Sequence, residues 1–187
     1  VGYYGPHDGT PLDETAAQGG DFLAGVCGAW EAEAERATAL GVRVVRLRTG
    51  IVLGAEGGAL PQMVRPLRFF AGGVLGDGRQ YLSWIHRIDV IGIILAALTS
   101  DAYHGPVNAT ALEPASNAEL MQALSQVLMR PLVLPGALNG WLVRRMFGEM
   151  ADMLLTGQCV LPGVAIQAGY GFRYPNLLPT LRSIIRA

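Results

Sequence analysis

The sequence predicts an α/β fold built on a parallel sheet, and three observations carry that prediction. A helical apolar pattern over residues 22–40 runs directly into a short β-branched strand over residues 42–48. Helix and strand signals then alternate to the end of the 187 residues, as in a chain of βα units. The hydrophobic share is 51% and the mean hydropathy is +0.33, which supports a sizeable core and argues against disorder.

Each element has its own local signal. Residues 1–5 read as the end of a strand entering a Gly5-Pro6 turn. Residues 7–21, rich in Gly, Pro and acid, read as a loop. Asp21 is placed to cap the first helix, on which Phe22, Val26, Trp30, Ala34 and Ala37 share one face, and Gly41 closes it. Residues 49–54 leave the first strand as a Gly-bracketed turn. Residues 60–70 form a helix with Pro61 in its first turn and a kink at Pro66. Residues 72–78 are a Gly-rich loop, and residues 81–86 a short strand. Asp89 caps a strongly apolar helix reaching Ser100. Residues 106–109 form a strand, and the capping box Ser116-Asn117-Ala118-Glu119 opens a helix to Met129. Beyond a compositional shift at Arg130-Pro131, the pattern gives a strand at 132–134, helical periodicity over 137–156 broken near Gly148, a strand at 169–174 and a closing helix at 177–185.

Composition excludes several functions. The net charge is −1 and no basic tract exists, so there is no electrostatic footprint for nucleic acid. All 14 basic residues are Arg. Without Lys, the chain cannot supply a Schiff base, a P-loop lysine or a Tyr/Lys dyad. Cys27 and Cys159 are too few for a disulfide scaffold or a zinc site, and they suit a reducing, cytoplasmic compartment. His7, His86 and His104 show no metal-ligand spacing. The longest dense apolar run, residues 90–98, is short of the roughly 20 residues of a membrane span, and no signal peptide is visible. The Val at position 1, inside an apolar segment, reads as a cut in a longer sequence. A charged share of 16% fits a surface covered by another part of the protein or by a partner, or an Ala/Leu/Gly-rich composition alone.

Motifs for nucleotide and acyl chemistry are incomplete. A dinucleotide fingerprint needs G-x-G-x-x-G between strand and helix. Gly76-Asp77-Gly78 and Gly169-Tyr170-Gly171 lack its third glycine and its context, so they read as turns. No G-x-S-x-G elbow is present. His86 and Asp89 could pair as acid and base, or serve as a pocket-wall residue and a helix cap.

Several stretches together carry a resemblance to the atypical extended short-chain dehydrogenase/reductases of the epimerase family, proteins described as nucleoside-diphosphate-sugar epimerase-like. They are Val1-Gly2-Tyr3-Tyr4-Gly5, Arg46-Leu47-Arg48-Thr49-Gly50-Ile51-Val52-Leu53-Gly54, the block from Gly76-Asp77-Gly78 through Trp84-Ile85-His86 to Asp89, and Val107-Asn108-Ala109 with the following capping box. The stretch from Arg130-Pro131 through Gly148-Glu149-Met150-Ala151 to Gly169-Tyr170-Gly171-Phe172-Arg173-Tyr174-Pro175 resembles a C-terminal module of that family.

The resemblance implies the C-terminal part of a Rossmann-like parallel sheet plus a small α/β substrate-type domain. Residues 1–54 with 82–110 would be the remnant of the NAD(P)-binding domain, and residues 55–81 and 111–187 the substrate and C-terminal module. The Gly-rich motif and the catalytic Ser of the family would precede Val1. The family's Tyr-x-x-x-Lys helix reads here Val26-Cys27-Gly28-Ala29-Trp30-Glu31, so the acid–base dyad is absent. Cys27 is a small hydrophobe or a proton carrier, and Trp30 a core residue or a cofactor platform. Arg48, Thr49 and Gly50 would approach NADP, with the Arg48 fork on a phosphate or carboxamide, or in a salt bridge at the strand end. Tyr3, Tyr4, Gln80, Trp84 and His86 would line the substrate cleft or pack. The expected function is thus the C-terminal portion of an NADP-binding, epimerase-like or oxidoreductase-like protein, inactive as this chain. The alternative is a non-catalytic nucleotide-binding or regulatory protein on the same scaffold. Expected partners are a nucleotide or sugar nucleotide, with no nucleic acid and no membrane, and a homodimer through the open sheet edge.

Overall fold

The computed structural model describes residues 1–138, 145 and 155–185. The central feature is a pair of parallel ladders that meet end to end. Strand β2 (Val45–Thr49) pairs in parallel with β7 (Gly105–Ala109). After the single residue Gly50 the same line continues as β3 (Ile51–Leu53), now parallel to β6 (Trp84–His86). Gly50 N–H donates to Ala109 O at 3.0 Å, Ile51 N–H to Ser83 O at 2.8 Å and Ala111 N–H to Trp84 O at 2.7 Å, which stitches the two ladders together. The expected turn over 49–54 is therefore a strand. A side chain at Gly50 would run into the Ser83 carbonyl, so this glycine permits close approach of two backbones rather than chain reversal.

The remaining strands are short. β1 (Pro11–Leu12), inside the expected loop, is parallel to β10 (Cys159–Val160). β4 (Gly73–Leu75), in the expected Gly-rich loop, is parallel to β9 (Leu134–Leu138), which replaces the strand expected at 132–134. β5 (Tyr81–Leu82) pairs antiparallel with β8 (Ala115–Ser116). The single strand expected over 81–86 is thus split at Ser83, where the chain changes partners.

Helix α1 (Phe22–Glu35) starts as expected, with the Asp21 carboxylate accepting Ala24 N–H at 2.7 Å. It ends in a 3-10 turn (Arg36–Leu40) closed by Gly41 in the left-handed region at φ 77°. Its apolar face is largely exposed: Phe22 is 83% and Trp30 72% accessible. This settles Trp30 as outside the core of this chain, and the half-buried Cys27 as no core residue either. Helix α2 (Ala59–Arg68) buries Leu60, Val64 and Leu67, with Pro66 in its last turn. Helix α3 (Arg87–Thr99) follows β6 directly. Helix α4 (Asn117–Leu128) has the full reciprocal capping box of Ser116 and Glu119. Two further described helices follow, α5 (Gly163–Gln167) and α6 (Leu177–Ile185).

Three other expectations are corrected. Residues 2–4 form a 3-10 turn, not a strand end, because the Tyr4 ring turns inward and is buried. Residues 169–174 form no strand. Their backbone is bound by a side chain instead: Asp89 accepts Arg173 N–H at 2.9 Å and Tyr174 N–H at 3.0 Å. Asp89 is accordingly not the cap of α3. The cap is His86, whose Nδ1 accepts Ile88 N–H at 3.1 Å. Of the helical pattern over 137–156, Ala137 and Leu138 lie in β9, and residues 139–144 and 146–154 lie outside the described residues.

Two main clusters hold the fold. The larger joins Leu53 and Trp84 of the crossing ladders to Leu60 and Leu67 of α2, Leu120 and Leu124 of α4, and Leu181 of α6. The second packs Val107 and Ala109 of β7 against Ile93 and Ala97 of α3, with Ala165 of α5. Burying each Leu, Ile or Val among them contributes roughly 1.5–3 kcal/mol.

Candidate functional site

The site is built where the two ladders change partners. In open parallel sheets, ligands bind beyond the carboxyl ends of the strands. Here β2 and β7 end at Thr49 and Ala109, at the level where β3 and β6 begin. Beside Gly50 lies a cleft of about 260 Å³. Its floor is Ile51 and Ser83, one side is Gly2 and Leu23, and the other is Thr156, Gly157 and Gln158. The second side is clamped to the floor: the Ser83 hydroxyl donates to Gln158 O at 2.7 Å and accepts Val160 N–H at 2.8 Å. A side chain on Gly157 would collide with the Tyr81 carbonyl, and Gly157 O accepts His7 N–H at 3.0 Å.

A buried polar chain supports the cleft from behind. Arg48 donates from Nε and Nη2 to the two carboxylate oxygens of Glu31, at 2.7 and 2.8 Å. It donates from Nη1 to the Tyr4 hydroxyl at 2.9 Å, and its guanidinium lies 3.4 Å from the Tyr3 ring centre. Tyr4 donates onward to Asn108 Oδ1 at 2.8 Å. Asn108 N–H and Val164 N–H both donate to Glu14 Oε1, at 2.9 and 3.1 Å. Glu14 thereby covers the outer edge of β7, which would otherwise present unpaired donors. Burial works against the charged form of Arg48, but its bonds to Glu31 and Tyr4 outweigh that and hold its pKa above the ordinary value. Burial raises the pKa of Tyr4 despite the Arg48 bond.

The sequence-derived residues separate into two groups. Arg48, Thr49, Gly50, Tyr3 and Tyr4 lie together, with Thr49, Arg48 and Tyr3 also bordering a second groove of about 310 Å³ along α1. Of the two open readings of Arg48, the structure realises the salt bridge. Gln80 borders an adjoining polar cavity with Tyr81. Trp84 is enclosed in the larger core, its indole N–H on Glu113 O at 3.0 Å. His86 is also buried, stacked on Tyr174 with ring centres 3.8 Å apart. Burial lowers its pKa, with the Asp89 charge partly opposing. His86 and Asp89 therefore act as a cap and a clamp. Sequence reasoning missed Ser83, Gly157, Glu14 and Asn108. Ser83, one hydroxyl amid apolar strand residues, was the available signal; nothing local marked Glu14.

Among the described residues no cluster of three or more His, Cys, Asp or Glu could hold a metal, and no helix is long and apolar enough to cross a membrane.

Parallel strands ending at a cleft, with helices packed on them, define the class: a Rossmann-like α/β protein. The sequence and structure comparisons narrow this. The chain is 42% identical over 186 residues to the chloroplastic epimerase family protein SDR39U1 homolog of Arabidopsis thaliana, covering 100% of this chain and 53% of that one. It is 37% identical to the epimerase family protein YfhF of Bacillus subtilis, covering 60% of that protein. The crystal structure of human epimerase family protein SDR39U1 (isoform 2) with NADPH superimposes with a TM-score of 0.88 at 35% identity, over 100% of this chain and 63% of that chain. A nucleoside-diphosphate sugar epimerase from Corynebacterium glutamicum gives a TM-score of 0.80 at 31% identity, over 98% of this chain and 35% of that one. Residues 140–184 match a domain of unknown function, DUF1731. The chain is thus similar over essentially its whole length to proteins named as epimerase family proteins, its residues 140–184 match the DUF1731 module, and it spans between half and two thirds of the length of the curated relatives named above.

Proposed function

We propose that this chain is the cleft-forming portion of an NADP-binding, epimerase-like or oxidoreductase-like protein. Residues 1–54 with 82–110 are the remnant of its nucleotide-binding domain, and residues 55–81 and 111–187 its substrate and C-terminal module. One observation supports the reading: where the chain passes from β2 to β3 at Gly50, Ile51 and Ser83 line a cleft whose other side is Thr156, Gly157 and Gln158. The relative crystallised with NADPH supports it.

The residues present fit one end of that cofactor. Thr49 and Gly50 are half-buried, and Thr49 borders the groove along α1. Arg48 serves that end of β2 from behind, by holding Tyr3 and Tyr4, since Glu31 and Tyr4 occupy its donors. Among the described residues no G-x-G-x-x-G turn joins a strand to a helix as a pyrophosphate cradle would. Tyr3 and Gln80 face the approaches to the cleft; Tyr4, Trp84 and His86 support its walls from the interior.

A second reading is favoured by one specific observation. Helix α1 presents Val26 and Trp30 in the family's Tyr-x-x-x-Lys window, and the chain holds no Lys. On this reading the nucleotide is a bound structural or regulatory ligand, and the chain has no turnover. The open edge of β2 and the exposed Phe22 and Trp30 support self-association as a homodimer; a clean monomer by light scattering argues against it. The cytoplasmic location is part of this proposal and rests on the low cysteine content.

Thermal unfolding of the full-length gene product with NADPH and NADH tests the nucleotide reading. Ligand at about 100-fold above its Kd adds roughly 2.7 kcal/mol of stability, so a clear rise in Tm with NADPH is expected. No rise at saturating cofactor contradicts it, and cofactor turnover with any sugar nucleotide contradicts the non-catalytic reading.

A further inference from the structure

A groove of about 530 Å³ lies between α2 and the end of α6. Leu60, Val64 and Arg68 recur on α2 at four-residue steps, with Pro61 and Arg65 beside them, so all five share one face of the helix. This stripe changes character along its length. Its first turns are apolar and share the groove with Ile184 and Ile185 of α6. Its last turn carries the two guanidinium groups, with Phe69 just beyond. Every lining residue belongs to 54–69 or 184–185. None lies on β2, whose outer edge is unpaired among the described residues, or on α1, whose apolar face is exposed.

The two charges in the groove have no counter-charge. Arg36, Arg43, Arg46, Arg48 and Arg87 are each paired with a carboxylate. Arg65 and Arg68 make no ion pair among the described residues. They do not cap the helix either: Pro66 O and Leu67 O accept the N–H groups of Phe69, Phe70 and Ala71 at 2.9–3.1 Å. No Asp or Glu lines the groove among the described residues, and the neighbouring Glu56 is turned to Arg87 at 3.5 Å. Two guanidinium forks one helical turn apart can hold a single carboxylate between them, each through several N–H donors. The apolar floor that leads to them suits an alkyl chain. Leu60 and Arg68 lie eight residues apart, about 12 Å along the helix, which sets a chain of medium length.

We infer that the groove between α2 and α6 is a second binding site, separate from the cleft beside Gly50, and that its ligand is a medium-chain amphipathic carboxylate. The alkyl chain lies along Leu60, Val64 and Ile184, and the carboxylate bridges Arg65 and Arg68. The site stands apart from the nucleotide reading, because it shares no residue with the cleft beside Gly50.

Titration calorimetry of the full-length gene product with sodium decanoate tests this. Sodium acetate and decyltrimethylammonium bromide serve as probes without the chain and without the negative charge. Decanoate should bind saturably below its micelle concentration, and the other two should not bind at the same concentrations. Arg65 and Arg68 are exposed, so the double variant Arg65→Gln with Arg68→Gln should fold normally. It should weaken decanoate binding by about tenfold. Phe69 is 75% exposed, and Phe69→Ser should weaken it by less. NADPH should leave decanoate binding unchanged. Absence of decanoate binding overturns the inference. So does binding that the double variant leaves intact, equal binding of either control probe, or displacement of decanoate by NADPH. Absence of an NADPH-induced Tm shift sinks the nucleotide reading alone.

Discussion

Gly50 lies with its Cα so close to the Ser83 carbonyl that no β-carbon fits between them. This contact lets one strand leave β7 and join β6 within a single residue. Gly50→Ala forces the two ladders apart. A loss of about 1–3 kcal/mol is expected, as for other overpacked sites, measured by urea unfolding. An unchanged midpoint contradicts the tight crossing.

The bond between Arg48 and Glu31 is two-pronged and shielded, with side-chain exposures of 6% and 16%. Removing one partner strands the other charge. Arg48→Ala should cost about 3–5 kcal/mol, while the double variant Arg48→Met with Glu31→Gln should cost less than the two single changes added together. Denaturant unfolding of all four proteins in a cycle measures this. Strict additivity would mean that the pair is not coupled.

Asp89 binds the strap at 173–174 through two backbone N–H groups and also accepts the Tyr170 hydroxyl at 3.2 Å. Asp89→Ala leaves those two N–H groups without an acceptor, at roughly 1–3 kcal/mol each if they stay buried. Hydrogen exchange should speed up at Arg173 and Tyr174 before it does in α4. Unaltered exchange there contradicts the clamp.

His86 predicts an acid-side loss of stability. Its pKa is lowered from the ordinary 6.5, first by burial and then by Arg87, with Asp89 opposing. The unfolded chain therefore takes up the proton more readily than the folded one. The stabilisation is complete above pH 6.5 and is lost as the pH falls through the folded value. The protonated ring also gives up the bond from Ile88 N–H, since both nitrogens then donate. His86→Asn keeps a capping acceptor without the titration, so its unfolding free energy should be flatter between pH 7 and pH 5. A parallel pH profile in both proteins contradicts this role.

The parts of the fold that were legible in the sequence are those with a strong local cause. The Asp21 and Ser116 caps, the Gly41 stop and the β-branched run before Arg48 each act through residues a few positions away. The errors fall where distant backbone decides. Gly50 resembles a turn residue until Ser83 is beside it, and Asp89 resembles a cap until Arg173 and Tyr174 arrive from 84 and 85 residues away. Arg48, Thr49 and Gly50 stood out through the family pattern, and the structure places them in line at the end of β2. Ser83 and Gly157 did not, because their role is to hold one backbone against another.

Amide hydrogen exchange of the full-length gene product with saturating NADPH shows whether the cofactor lies against the end of β2. Slower exchange is expected at Thr49, Gly50 and Ile51 on cofactor addition, with α4 and α6 unchanged. Tight NADPH binding that leaves residues 49–51 unaffected would contradict that position.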